Sequence, residues 1–204
     1  MPVNPIQLQA GLSLAEFMRR YGSAQQCEDA LIAARWPQGW RCPRCEGTRF
    51  WPTRDTHARR LWQCARCDHQ SSITAGTIME HTRLPLSKWF LALYLISQNK
   101  NGISALALRR QLGVGYKSAW LLKHKLMQAM KERDDGRQLS GWLQVDDAVW
   151  GGEHGGGKRG RDAPGKTPFL AAVSCDVHGH PQYMRLTRIA NVRQVTIDAW
   201  ARRH

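Results

Sequence analysis

The stretch of residues 42–67 decides the fold of the chain around it. It reads Cys42-Pro43-Arg44-Cys45, then eighteen residues, then Cys64-Ala65-Arg66-Cys67. Each Cys-x-x-Cys pair places two thiols on one tight turn, and two facing turns supply a tetrahedron of sulfur ligands. This spacing is typical of a structural zinc site. The sequence therefore predicts one Zn²⁺ bound by Cys42, Cys45, Cys64 and Cys67.

The residues between and after the cysteine pairs predict three short strands, at 48–51, 60–63 and 70–74. Cysteine pairs with short strands are the layout of a zinc ribbon, in which the metal replaces a core that so small a fragment cannot build. The arginines and aromatics of this stretch could bind phosphate and stack on bases. Alternatively, the aromatics pack over the metal site, which is the interpretation we favour for Trp62.

The composition indicates a folded, strongly basic chain. Its 204 residues include 30 Lys and Arg against 16 Asp and Glu, a formal net charge of +14, and 42% are hydrophobic. A charge of this sign favours a polyanionic partner, nucleic acid before an anionic membrane, although a solvated basic surface is the alternative.

No apolar run is long enough to span a membrane and no secretory signal is visible, so we expect a cytosolic protein with reduced thiols and metal rather than disulfides. Cys27 and Cys175 are expected to be buried apolar residues.

Helical patterns lie on both sides of the ribbon. Ser13–Glu16 and Ser23–Gln26 have the form of capping boxes and predict two short helices before it. After it, residues 84–96 predict a helix, and residues 103–112, the turn Gly113-Val114-Gly115 and a helix from 116 to 131 predict a helix-turn-helix.

The start of the second helix of that motif is the place where base contacts are expected. Its lysines are expected to contact phosphates. The candidate DNA-binding residues here are Tyr116, Lys117, Ser118, Lys123 and Lys125. The alternative is an ordinary helical hairpin with a basic outer face.

A polar break at residues 134–137 predicts a domain boundary, after which the pattern changes to strands at 142–149, 169–177 and 183–189 and a helix at 191–204. This order predicts the first half of a mixed α/β sheet. Asp146 and Asp147 stand in the middle of the first apolar strand. A carboxylate buried there is costly unless it meets a cation, for which Mg²⁺ is the usual choice. The alternative is that one aspartate faces solvent and the other caps a turn.

The order of zinc ribbon, helix-turn-helix and Val145-Asp146-Asp147-Ala148-Val149-Trp150-Gly151-Gly152 resembles insertion-sequence transposases that carry a zinc ribbon before a DDE-type nuclease. The resemblance implies an RNase H-like nuclease domain, with Asp146, or Asp147 as the alternative, as the first catalytic carboxylate and Mg²⁺ or Mn²⁺ as the catalytic metal. Asp147 departs from the glutamate that is more usual there. A glycine-rich basic loop in the family corresponds to residues that would approach DNA phosphates, namely Lys158, Arg159, Arg161 and Lys166. A flexible solvated loop is the alternative for them.

Such nucleases need a second and a third acidic or Asn ligand. The carboxylates after Gly152 are Glu153, Asp162, Asp176 and Asp198, and none matches the place of the second ligand. We therefore expect a truncated or split copy that lacks the later catalytic residues, so that this chain binds DNA but does not cut it unaided.

Together these patterns predict an α+β, multidomain protein. Its four segments are a helical lead at 1–40, a zinc ribbon at 41–80, a helix-turn-helix at 84–133 and a partial RNase H-like domain at 141–204. The expected function is DNA transposition, with Zn²⁺ as a structural metal. The expected partner is the double-stranded DNA of transposon ends, and self-association is a further candidate. The expected location is the bacterial cytoplasm, in association with the nucleoid. The competing hypotheses are a non-enzymatic zinc-ribbon and helix-turn-helix regulator and an RNA-binding zinc protein.

Overall fold

A computed structural model describes residues 11–56, 59–99, 101–151 and 165–203, and these form two compact units, Gly11–Ala129 and a second within Met130–His204. The helices of the described residues are α1 (Leu14–Tyr21), α2 (Ala24–Arg35), α3 (Leu86–Gln98), α4 (Ala105–Leu112), α5 (Tyr116–Asp135) and α6 (Gln194–Ala201). The strands are β1 (Phe50–Arg54), β2 (Arg60–Cys64), β3 (Gln70–Ser72), β4 (Trp142–Trp150), β5 (Thr167–Cys175) and β6 (Pro181–Arg188). None of these helices is both long and apolar enough to cross a membrane.

Helices α1 and α2 begin at the two serines that the sequence marks. The capping box at Ser23 is confirmed: its hydroxyl accepts from the Gln26 N–H at 3.2 Å, and the Gln26 side chain accepts from the Ser23 N–H at 3.0 Å. At Ser13 the hydroxyl caps the helix, but the Glu16 carboxylate pairs with Arg19 and Arg20 instead. The hydrogen bonds from Arg19 and Arg20 lower the pKa of Glu16.

The ribbon consists of an antiparallel sheet in the order β1-β2-β3. Strand β1 begins two residues later than the sequence predicts and runs to Arg54, so that its hairpin with β2 extends further from the cysteines. Trp62 is buried, and its ring meets that of Trp36 edge-on with the centroids 5.0 Å apart. The buried cluster beside it consists of Trp40, Cys42, Cys64 and Ile73. The packing interpretation of Trp62 therefore holds.

Helices α3, α4 and α5 surround an apolar core at one end of the same unit. Leu108 and Leu112 of α4 and Leu122 and Leu126 of α5 are fully buried there. Helix α4 ends at Gly113, whose left-handed backbone (φ 64°) lets its N–H donate to the Arg109 carbonyl at 2.9 Å. Glycine adopts this conformation without a steric penalty, so the chain turns sharply into α5.

The second unit is a three-stranded sheet with one helix on it. Its order is β4-β5-β6 and all its described strands are antiparallel, whereas the sequence pattern predicts a mixed sheet. Helix α6 covers one face, where Trp200 packs with Leu170 and Ala172. Helix α5 continues through Asp135 and therefore ends within residues 134–137, where the sequence predicts a polar break.

A buried arginine closes the end of α5. Arg185 of β6 is only 4% exposed, and its guanidinium donates to the carbonyls of Asp134, Asp135 and Arg137. The last carbonyls of a helix have no partner within it, and a cation is favoured at that end. Arg185 therefore explains why this helix can run through two aspartates.

We expect Arg185→Met to lower the free energy of unfolding by about 2–3 kcal/mol, because it leaves three partly buried carbonyls without this donor. Urea unfolding followed by circular dichroism measures this loss. Arg188→Met, at an exposed position of the same strand, is the control and should change stability little. Equal losses in both variants would show that the carbonyl contacts of Arg185 contribute nothing specific.

Candidate metal centre and nucleic-acid interface

The four cysteines of the two predicted pairs meet in one cluster. Their sulfurs all lie within 4.8 Å of one another, with Cys42 and Cys67 3.6 Å apart and Cys45 and Cys64 3.5 Å apart. A tetrahedral zinc ion with Zn–S bonds of about 2.3 Å separates its sulfurs by roughly 3.8 Å. The donor set and its spacing therefore fit Zn²⁺.

The two knuckles have matching backbone geometry. The Cys42 N–H donates to the Gly47 carbonyl and the Glu46 N–H donates back to the Cys42 carbonyl, both at 2.9 Å. In the second knuckle the Cys64 N–H donates to the His69 carbonyl at 2.9 Å and the Asp68 N–H to the Cys64 carbonyl at 3.1 Å. Glu46 and Asp68 hold equivalent left-handed conformations, with φ of 60° and 54°.

Backbone amides favour thiolates at the first cysteine of each knuckle. The Arg44 N–H lies 3.4 Å from the Cys42 sulfur, and the Arg66 N–H 3.4 Å from the Cys64 sulfur. The amide of Arg66 above all lowers the pKa of Cys64 to about 7. At Cys67 the His69 amide favours the thiolate, but burial and the neighbouring sulfurs outweigh it and raise the pKa to about 12. A cation among the four sulfurs would stabilise their thiolate forms.

The centre is suited to a structural role. Four cysteines complete the tetrahedron, whereas a catalytic zinc keeps one position for water or substrate. Cys27 and Cys175 lie outside the cluster and are buried, as predicted. The Cys27 thiol donates to the Tyr21 carbonyl at 3.2 Å, and burial raises its pKa.

The candidate DNA-binding residues of α5 have different surroundings. Tyr116 and Lys117 are exposed at its first turn, while Ser118 and Lys123 are half-buried. The Lys125 ammonium donates to the Ile78 carbonyl at 3.0 Å, a contact within the unit. In the predicted basic loop, Lys166 is half-buried just before β5, whereas Lys158, Arg159 and Arg161 lie outside the described residues.

Two further residues extend the exposed face of α5. The ring of Trp120 stacks on that of His124 with the centroids 3.9 Å apart, and Trp120 is 46% exposed. Sequence reasoning missed this pair, although its i, i+4 spacing on a helix was the available signal. An exposed flat ring beside Tyr116 and Lys117 is the kind of group that packs against sugars or bases.

Asp146 is exposed, so the argument from a buried carboxylate is wrong for this residue. It lies opposite Ala171 in the β4–β5 register, and its carboxylate accepts from the Asp147 N–H at 2.8 Å. Asp147 lies on the other face of the strand, because neighbouring residues alternate. Among the described residues, only the four cysteines bring three or more metal-ligating side chains together.

The later carboxylates of the described residues have local roles. Asp176 accepts from the N–H groups of His178 and His180, both at 2.9 Å, and closes the β5–β6 turn. The amide of His180, with that of His178, lowers the pKa of Asp176. Asp198 accepts from Gln194 at 2.8 Å along α6. Neither lies with Asp146 in a metal-ligating cluster.

Comparison with known proteins shows which domain family and which relative this chain resembles. Residues 22–70 match the transposase zinc-ribbon domain family. This part of the chain is thus similar to the zinc-ribbon domain of transposases. A protein of the transposable element ISH50 from Halobacterium salinarum, itself uncharacterized, is 26% identical over 155 residues, which cover 76% of this chain and 50% of that protein. The chain thus matches about half the length of this relative. No solved structure matches.

For this transposase-related ribbon, we expect about one zinc per chain and loss of that zinc in Cys64→Ser, because a hydroxyl replaces one thiolate ligand. Metal analysis of freshly reduced protein, together with thermal unfolding, measures both effects. Cys27→Ser is the control, since its hydroxyl can still donate to the Tyr21 carbonyl. Normal folding of Cys64→Ser in metal-free protein would contradict a structural zinc site.

Proposed function

We propose that the chain is a DNA-binding polypeptide of an insertion-sequence transposase, which recognises the double-stranded ends of its element. The match of residues 22–70 to a transposase zinc-ribbon domain carries this proposal. The net charge of +14 supports it, because an excess of lysine and arginine attracts the DNA backbone. Self-association of the chain at paired element ends is part of the proposal.

Helices α4 and α5 form the proposed helix-turn-helix. The glycine turn between them and the exposed Tyr116 and Lys117 at the start of α5 support base and phosphate contacts by this end of the helix. Lys123 extends the basic surface, whereas Lys125 contributes less because it donates to Ile78. Lys166 and the residues of the basic loop remain candidate phosphate contacts.

Asp146 stays the candidate for a catalytic carboxylate in a DDE-type, RNase H-like domain. The described residues do not fit a Mg²⁺ or Mn²⁺ centre, because Asp146 has no two further ligands beside it among them. A non-enzymatic DNA-binding regulator is the second candidate function, favoured by the same lack of a carboxylate cluster.

We expect Lys117→Gln/Lys123→Gln to weaken duplex DNA binding about tenfold or more and to reduce the slope of log affinity against log salt by about 2, because two phosphate contacts are lost. Fluorescence anisotropy with a labelled element end measures both quantities. Lys131→Gln near the other end of α5, where the ammonium pairs with Asp135, is the control and should change neither. An unchanged salt slope in the double variant would exclude this helix from the interface.

We also expect the purified chain to leave supercoiled plasmid carrying element ends intact in the presence of Mg²⁺ or Mn²⁺. Two-metal phosphodiester chemistry needs several carboxylates, and the described residues bring no cluster of three or more carboxylates together around Asp146. Gel electrophoresis of the plasmid measures nicking. Metal-dependent nicking that disappears in Asp146→Asn would contradict this expectation and support a complete nuclease site.

A further inference from the structure

A groove of about 830 Å³ lies within the first unit, against the strands of the ribbon, and some of the arginines of the ribbon stretch line it. We name it the arginine groove. Helix α2, the ends of β1 and β2 that carry Arg54 and Arg60, the end of β3 and the segment before α3 form its walls. Its charged lining residues are Glu28, Arg54, Arg59, Arg60 and Arg83.

The charges of the arginine groove are unbalanced. Arg59 pairs with Asp55 at 2.6 Å, but Arg60 approaches Glu28 only to 3.8 Å. Arg54 and Arg60 are direct partners in the antiparallel register, so their side chains leave the same face side by side. An anion that lies between two directly opposed guanidinium groups can accept hydrogen bonds from both of them.

The walls of the groove are fixed by contacts that do not involve these charges. Arg35 of α2 donates to the carbonyls of Ser72, Ile73 and Ala75, which fastens the helix to the strand opposite it. Thr82 accepts from the indole N–H of Trp89 at 2.9 Å, which holds the segment before α3. A groove held open in this way loses little conformational entropy when it binds a ligand.

The lining chemistry matches phosphate. Guanidinium groups donate paired hydrogen bonds to phosphate oxygens, and the hydroxyl groups of Ser72, Thr74 and Thr82 line the groove as neutral polar partners. The arginines remain accessible, since the side chains of Arg59 and Arg60 are 63% and 40% exposed. Exposed arginines beside a zinc ribbon suit an extended polyanion better than a small ligand that must be enclosed.

We propose that the arginine groove binds the phosphate backbone of duplex DNA through Arg54, Arg60 and Arg83, and that Glu28 competes with phosphate for Arg60. This inference rests on the proposed DNA-binding function and adds a second contact surface to it. Arg60 also lies over the Trp62 ring, 5.1 Å from its centroid, so the stacked guanidinium is oriented before DNA arrives.

The first test removes groove charges and compares equal changes elsewhere. Arg54→Gln/Arg60→Gln should weaken duplex affinity about tenfold and reduce the salt slope by about 2. Arg44→Gln/Arg66→Gln, at the exposed middle positions of the two knuckles, removes the same charge from the same ribbon and should leave the slope nearly unchanged. Fluorescence anisotropy at several salt concentrations gives both values, and zinc content shows that each variant is folded.

The second test adds affinity rather than removing it. Glu28→Gln should tighten duplex binding several-fold, because Arg60 loses its competing carboxylate. A misfolded variant cannot produce this gain. If Glu28 serves only a structural ion pair, the variant will unfold at a lower temperature and bind DNA with unchanged affinity, which would overturn the role given to Glu28.

The outcomes distinguish DNA binding by the chain as a whole from DNA binding through the arginine groove. If the unmodified chain binds no duplex DNA, the proposed function fails. If it binds DNA but the groove and knuckle variants lose affinity and salt slope equally, the arginine groove is not the contact and DNA binding stands. Larger losses in the groove variant together with a gain in Glu28→Gln support the groove.

Discussion

The first unit depends on the close approach of four cysteine sulfurs around one metal site. Their electrostatic repulsion as thiolates is relieved only by a cation, and the strands that carry them are too short to hold together by apolar contacts alone. The buried residues beside the site are few, with Trp40, Trp62 and Ile73 next to the cysteines. Metal coordination therefore comes first in the stability of the ribbon, and the aromatic packing adds to it.

The position of the arginines follows from this arrangement. Strand pairing is fixed at the cysteine end of the β1–β2 hairpin, so register alone carries Arg54 and Arg60 into opposition at the far end. Natural sheets avoid such a pair unless a partner balances it. Glu28 of α2 approaches Arg60 to 3.8 Å and so reduces the repulsion between the two guanidinium groups. On a surface of this kind, a phosphate group of a bound ligand can replace the Glu28 carboxylate as the partner of Arg60.

Sequence reasoning succeeded where the signal is local. The cysteine spacing gave the metal ligands, and apolar periodicity gave the existence of all the described helices and strands, with ends shifted by a few residues. It failed where residues far apart in the sequence determine the end of a helix or the exposure of a side chain. The end of α5 depends on Arg185, which lies 50 residues beyond Asp135. The exposure of Asp146 depends on which sheet face is covered, and alternation along one strand does not determine that. The arginine groove combines four separate segments and has no pattern of its own.

The contact of Arg35 with the ribbon indicates which residues form one domain and where a fragment of the chain should begin. The guanidinium is partly buried, and burial lowers its pKa, so the carbonyls at and just after the end of β3 stabilise its charged form by accepting its hydrogen bonds. Helix α2 is thus a part of the ribbon rather than a neighbour of it. The family match begins at residue 22, before α2, rather than at the first cysteine pair. The transferable module is therefore a helix with its ribbon, and a fragment begun at residue 41 would omit one of its walls.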